Sequence, residues 1–182
     1  MNRRLFLVML GALLVIRAQP MVGQATDETL NKEQSKTLMY QWKKVTDKAA
    51  FAPRDGAGAL VFKNKMWIIG GDPIQGHYQN DVWSSADGVK WERHIEAAPW
   101  HPRQYHDVAV FDDRMWVMEG YYKEGGNRND VWHSADGVNW TEVPGAPWAP
   151  RHAASVFIHD NALWMVAGNN MTPDVWKLTR VK

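Results

Sequence analysis

Two almost identical twelve-residue segments, 49 residues apart, constrain the fold of this chain more than any other feature. The first is NDVWSSADGVKW, residues 80–91, and the second is NDVWHSADGVNW, residues 129–140. A shorter echo, PDVW, follows at residues 173–176 and marks a third copy. Such self-similarity at a fixed period is typical of repeat architectures, in which each unit packs against its neighbours.

The segments that precede each copy align as well, and they set the bounds of the units. A Pro-Arg pair opens each unit, with the arginines at Arg54, Arg103 and Arg151. An apolar run, a polar turn and a tryptophan follow each pair. The units therefore cover about residues 51–99, 100–147 and 148–182.

Each unit predicts short strands and no helix. In the first unit, apolar and β-branched runs separated by turn residues predict strands near 57–63, 66–71, 80–85 and 89–94. Asp-Gly and Asn-containing turns between the runs favour tight hairpins. Four antiparallel strands in each repeat predict an all-β fold, a β-propeller of three four-stranded blades.

The third unit stops after its third strand, and its fourth strand is predicted at the other end of the chain. MYQWKKV, residues 39–45, matches the fourth strands because Trp42, Trp91 and Trp140 are spaced 49 residues apart. We expect residues 39–46 to form the outer strand of the last blade. This arrangement would cover two sheet edges that otherwise invite aggregation.

Residues 39–182 resemble the kelch-repeat propellers related to the central domain of galactose oxidase. The resemblance rests on the Pro-Arg openings, on the hairpin ending in Gly70-Gly71, and on the later pair Trp83 and Trp91. It implies a ring that is commonly six- or seven-bladed, so three blades form half a ring. A homodimer with swapped 39–46 strands, a monomeric half-ring and a fragment of a longer propeller are the three alternatives.

The first 38 residues predict export rather than a folded domain. Residues 1–25 carry Arg3-Arg4, an apolar run and small residues at a cleavage position, which is the pattern of a signal peptide. Twin-arginine and general secretory export both fit this pattern. Residues 26–38 are polar and predict a linker. We expect a periplasmic or extracellular protein with no stable membrane span after cleavage.

Charge and composition exclude several classes of site. A formal net charge of +1 gives no general attraction to nucleic acid. The absence of cysteine excludes thiolate metal sites and the Tyr-Cys crosslink that copper chemistry needs in the galactose oxidase family. The histidines lack HxH and HExxH spacing, so we predict no metal and no other cofactor.

Loop chemistry places the predicted binding site on one face. The loops between second and third strands and the links between units emerge together, and they are long, aromatic and polar. The ligand-binding candidates there are His77, Tyr78, Tyr121, Tyr122 and His152. The three Pro-Arg arginines either bond carbonyl groups of the blades or converge on an anionic ligand.

Glu119 and His106 are the catalytic candidates, because both break the pattern of the repeat. Glu119 replaces the first glycine of the Gly70-Gly71 pair, and His106 replaces alanine. A carboxylate beside an imidazole can transfer protons. The alternative is a buried glutamate bonded to an arginine.

Three functions fit these observations. The first is a non-catalytic module that binds a glycan or a protein through the long-loop face. The second is a sugar mutarotase or epimerase, since some of the kelch propellers that this chain resembles isomerise sialic acid. The third is a structural assembly element, and the fold alone does not choose among the three.

Overall fold

The computed structural model describes residues 40–181 and contains no helix within that range. The all-β prediction is therefore confirmed for the described part, which includes no helix that could cross a membrane. The signal peptide and linker predicted for residues 1–25 and 26–38 lie outside the described residues. All the strands belong to a compact unit that begins at Lys44.

Sheet 1 has four antiparallel strands in the order of the chain: β1 Gly58–Phe62, β2 Lys65–Gly71, β3 Gln79–Ser85 and β4 Glu92–Ile95. The predicted strands coincide with them to within a few residues. The β1–β2 hairpin turns on Lys63 and Asn64, with φ angles of 47° and 58°. Two consecutive positive φ angles are what a two-residue type I′ turn requires, and its twist matches that of the flanking strands.

Sheet 2 repeats this order with β5 Asp107–Phe111, β6 Arg114–Met118, β9 Val131–Ser134 and β10 Thr141–Val143. Its first hairpin turns on Asp112 and Asp113, again with positive φ. The loop between β6 and β9 carries a separate small hairpin, β7 Tyr121–Tyr122 and β8 Gly126–Asn127.

Sheet 3 has only three strands, β11 Ser155–His159, β12 Ala162–Val166 and β13 Val175–Leu178. The predicted outer strand over residues 39–46 does not form within the single chain: residues 40–46 carry no strand, and residue 39 lies outside the described residues. The chain after Lys44 stays with sheet 1, where Phe51 packs against Trp83 and Trp91. No described sheet closes on itself.

Sheet 2 packs between sheets 1 and 3, and each of its faces buries its own core. Alternation along β6 produces this arrangement, because successive side chains of a strand point to opposite faces. Met115 and Val117 join the core shared with sheet 1, which we call junction 1–2. Trp116 and Met118 join the core shared with sheet 3, which we call junction 2–3.

The recurring Ser-x-Asp-Gly motif shapes the turn after the third strand. The Ser134 hydroxyl accepts a hydrogen bond from the amide of Gly137 at 2.9 Å, and the Asp136 carboxylate accepts from Val138 at 2.8 Å. Bonds from Asn139 and the backbone hold the pKa of Asp136 well below its usual range. The repeated segment therefore encodes a turn that its own side chains stabilise.

Candidate functional site

The β2–β3 and β6–β9 loops meet the links between sheets on one side of the molecule, which we call the loop face. Backbone hydrogen bonds join these segments: Gln104 pairs with Tyr121, and the amide of Tyr105 donates to the carbonyl oxygen of Gly56 at 2.8 Å. The Gly71 amide donates to the carbonyl oxygen of Arg103 at 3.0 Å. Neighbouring sheets therefore fix the loops relative to one another.

The arginines of the Pro-Arg pairs are bound inside their own units. Both terminal nitrogens of Arg103 donate to the Asp130 carboxylate at 2.7 Å, and one also donates to the Glu119 carbonyl oxygen at 2.6 Å. The Arg103 side chain is 0% exposed. Burial opposes ionisation of Asp130, but the bonds and charge of Arg103 still hold the pKa of Asp130 below its usual value.

Arg54 and Arg151 repeat the same geometry with Asp81 and Asp174. The shortest nitrogen-to-oxygen distance is 2.6 Å in each pair. Each guanidinium also donates to a backbone carbonyl oxygen at the end of the second strand of its unit. Bidentate, buried pairs of this kind hold strands and links in place, so the geometry favours the structural role over a shared anion clamp.

An aromatic row crosses the loop face. The ring centroids of Tyr78 and Tyr121 are 6.1 Å apart, those of Tyr121 and His152 are 5.5 Å apart, and those of His152 and Tyr105 are 5.8 Å apart. We use the name aromatic row for these four residues. The structure thus brings together three of the predicted binding residues and adds Tyr105.

Amide side chains surround the aromatic row with hydrogen-bonding groups. The Gln104 amide donates to the Tyr78 hydroxyl at 3.2 Å. The His152 Nδ1 atom lies 2.7 Å from Oδ1 of the Asn127 side chain. Because that oxygen can only accept, Nδ1 carries the proton and Nε2 is left as an acceptor. Burial lowers the pKa of His152, which keeps the ring neutral at pH 7.

Two clefts flank Tyr78. The larger, of about 470 Å³, is lined by residues that include Arg54, Asp72, Gln104 and Tyr105. The smaller, of about 290 Å³, holds the other two predicted loop residues, His77 and Tyr122. Tyr122 stacks on His101 with a centroid distance of 4.9 Å. All five aromatic candidates therefore lie on the loop face, three in the row and two in the smaller cleft.

Glu119 forms a carboxyl pair with Asp107 and not with His106. Burial and the bond to Asp107 raise the pKa of Glu119 to about 9, and burial raises that of Asp107 to about 6. Within the described residues, Glu119 Oε2 and Asp107 Oδ2 have no other partner. A proton on Glu119 would allow one carboxyl group to donate to the other, while Glu119 Oε1 accepts from the Ala154 amide at 3.3 Å.

His106 lies in a separate environment against sheet 1. A Cβ atom on Gly58 would lie 2.8 Å from His106 Nε2, and one on Gly70 would lie 3.0 Å from Cε1. Burial and the charge of Arg103 lower the pKa of His106 to about 3, so the ring is neutral. Within the described residues neither ring nitrogen of His106 has a hydrogen-bond partner, so the predicted proton-transfer bond between Glu119 and His106 is not made. Glu119 is buried, as the alternative prediction required, but Arg103 binds its backbone oxygen.

The comparison between units that revealed Glu119 could also have revealed Tyr105. Tyr105 has a φ of 54° at the position of Gly56 in the first unit and Ala153 in the third, both with positive φ. A tyrosine in a left-handed conformation is uncommon and often marks a functional site. Asp107 also departs from the repeat, because the matching residues are Gly58 in the first unit and Ser155 in the third.

A comparison with protein-family models finds no match to this chain. A comparison with curated proteins finds no similar sequence either.

Proposed function

We propose that this protein is an exported, kelch-type β-propeller module that binds a neutral glycan through its loop face. The aromatic row carries this proposal, because four rings from three successive units form one continuous surface. The three sheets correspond to propeller blades, and the loop face is the side on which the longest loops meet. A protein ligand is the alternative occupant of the same face.

The chemistry of the row fits a sugar. Aromatic rings offer a flat apolar body beside a polar edge, which suits the mixed apolar and hydroxyl surface of a pyranose. Gln104 and Asn127 provide amide groups beside the rings, and a few placed polar groups fix the orientation of a ligand. A neutral sugar is favoured because the arginines are bound by aspartates, while Asp55 and Asp72 line the larger cleft.

Binding is favoured over the mutarotase alternative by the burial of the proposed proton carriers. Glu119 is 0% exposed and His106 is 5% exposed, so neither side chain reaches the surface of the loop face. A general acid or base must lie within hydrogen-bond reach of the proton that it transfers. Nuclear magnetic resonance of anomer exchange should therefore give the buffer rate for wild type and for Glu119→Gln.

The test of the proposal is titration of neutral oligosaccharides by calorimetry, after a glycan array has selected the strongest binder. Replacement of the central ring of the row, Tyr121→Ala, should weaken binding about tenfold or more, which corresponds to about 1.4 kcal/mol. Val138→Ala, on an exposed turn after the third strand of sheet 2, is the control and should bind like wild type. A wild-type protein that binds no glycan, or equal binding by Tyr121→Ala, would overturn the proposal.

A further inference from the structure

Sheet 1 exposes an apolar face on the side away from sheet 2. The β6 residues that pack on sheet 1, Met115 and Val117, have Met66 and Ile68 as their counterparts one repeat earlier. Val61, the counterpart of Val110 in junction 1–2, is 65% exposed. This face therefore has the composition of a buried junction but no described residues covering it.

Sheet 3 exposes the complementary face at the other end. Ala109 and Val131 are buried in junction 2–3, and their counterparts in the third unit are Phe157 and Val175. Phe157 is 46% exposed and Val175 is 59% exposed. Leu60 is the counterpart of Phe157, and Val110 is the counterpart of Val61. Leu60 and Val110 both belong to junction 1–2. The two exposed end faces therefore correspond to the two sides of a junction that this chain builds internally.

A groove of about 280 Å³ opens at the outer edge of junction 2–3. It is lined by Trp116, Trp148, Trp176, Met165 and Leu178, among other apolar residues. At the matching place in junction 1–2, the space is filled. There the residue that precedes the fourth strand of sheet 2, Trp140, packs edge-on against Trp100 with centroids 4.8 Å apart.

Trp42, in the N-terminal segment, is the counterpart of the tryptophan that fills junction 1–2. Phe51 packs edge-on against Trp91 at 4.9 Å, just as Trp100 packs against Trp140. Trp148 has no such partner among the described residues, because sheet 3 has no fourth strand there. Trp42 stands one repeat before Trp91 and is 99% exposed.

We propose that a second copy of this chain packs head to tail on these faces, with sheet 3 of each copy against sheet 1 of the other. Residues 40–46 of each copy then form the fourth strand of the partner's sheet 3, and Trp42 fills the groove beside Trp148. The direction of the chain requires this exchange, since the link after each fourth strand leads into the next sheet. Two copies related by a twofold axis close a ring of six sheets.

This inference does not depend on the ligand, and light scattering of the purified chain tests it. Wild type should have the mass of two chains. The charge substitutions Val61→Lys and Phe157→Glu should each give the mass of one chain, because each buries an unpaired charge at both interfaces between the two copies. Val138→Lys, on the turn of the middle sheet, is the matched control and should remain dimeric.

The decisive experiment is light scattering of a mixture of the two monomeric variants. In a mixed dimer, one interface between the copies is wild type, and at the other the introduced lysine faces the introduced glutamate. Mixing should therefore restore the mass of two chains. Near-ultraviolet dichroism of the tryptophans establishes that each variant is folded. A wild-type mass of one chain at about 50 μM, well above the Kd of a stable complex, would overturn the proposal, as would folded variants that do not recover on mixing.

Discussion

The two junctions of this molecule are built from the same repeat, yet one is filled and the other is open at its outer edge. In junction 1–2, Trp140 covers Trp100, and the turn at Gly137 closes over Trp67. In junction 2–3, Trp148 and Trp116 line a groove. The difference shows that the fourth strand of a unit and its preceding turn complete the core shared with the unit before it.

The largest expected difference between the junctions is the cost of removing an indole. Trp100→Ala should lower the free energy of unfolding by about 3–5 kcal/mol, because it leaves a cavity in a filled core. Both substitutions are made in the Phe157→Glu background, where the chain is expected to be monomeric. There, Trp148→Ala should lower the free energy of unfolding by less than half as much as Trp100→Ala. Urea unfolding of both variants in that background measures the two losses. Equal losses would contradict the comparison.

A smaller difference is expected at the two Asp-Gly turns. Gly137 and Gly88 have φ angles of 79° and 76°, so alanine at either position strains the backbone by about 1–2 kcal/mol. A Cβ on Gly137 would also lie 2.3 Å from Trp67 Cζ3, whereas the nearest atom to a Cβ on Gly88 is 3.5 Å away.

Gly137→Ala should therefore cost a further 1–3 kcal/mol or so through overpacking. The check is the difference in urea midpoint between Gly137→Ala and Gly88→Ala, again in the monomeric background. Indistinguishable midpoints would show that the turn of sheet 2 does not close junction 1–2.

Compared per pH unit, the smallest effect expected is a pH dependence of opposite sign in the two junctions. Glu119 accepts a hydrogen bond from the amide of Ala154, just before the first strand of sheet 3. Because its pKa is raised, the folded state keeps a proton on Glu119 that the unfolded state releases. Stability should therefore fall as the pH rises from about 4.5 to about 9, by at most about 1.4 kcal/mol per pH unit for one proton. Glu119→Gln should remove most of this slope.

His106 lies against sheet 1, and its pKa is lowered, so its protonation favours the unfolded state. Stability should fall as the pH drops from about 6.5 to about 3, and His106→Gln should flatten that limb. Denaturant unfolding at a series of pH values measures both limbs, with Glu142→Gln as an exposed control. A Glu119→Gln variant that keeps the alkaline slope would contradict the assignment of the carboxyl pair.

The sequence predicted the strands well because the repeat presents each strand and turn two or three times. Pairs such as Asp112-Asp113 and Asp160-Asn161 adopt the positive φ angles that their residue types tolerate. The small β7–β8 hairpin was not predicted, because it occurs in one unit only. The outer strand of sheet 3 was predicted over residues 39–46, with the choice between one chain and two left open. Within one chain, residues 40–46 carry no strand, and Phe51 packs against sheet 1.

The candidate site was predicted less completely than the strands. Comparison of units identifies residues that depart from the repeat, and Tyr78, Tyr121 and His152 do meet on the loop face. It does not identify their partners, since contacts such as Glu119 with Asp107 depend on side-chain direction and burial. The arginines were ambiguous for the same reason, because their aspartates lie 23 or 27 residues further along the chain.

The central claim is that residues 40–46 of one chain complete sheet 3 of another, and a disulfide tests it most directly. Thr141 pairs with His133 in sheet 2, and their counterparts are Lys43 and Lys177. Directly opposite strand residues are close enough for a disulfide, and the chain has no cysteine of its own. The Lys43→Cys/Lys177→Cys variant should oxidise to a covalent dimer on a non-reducing gel. A disulfide within one chain, or none, would contradict the account.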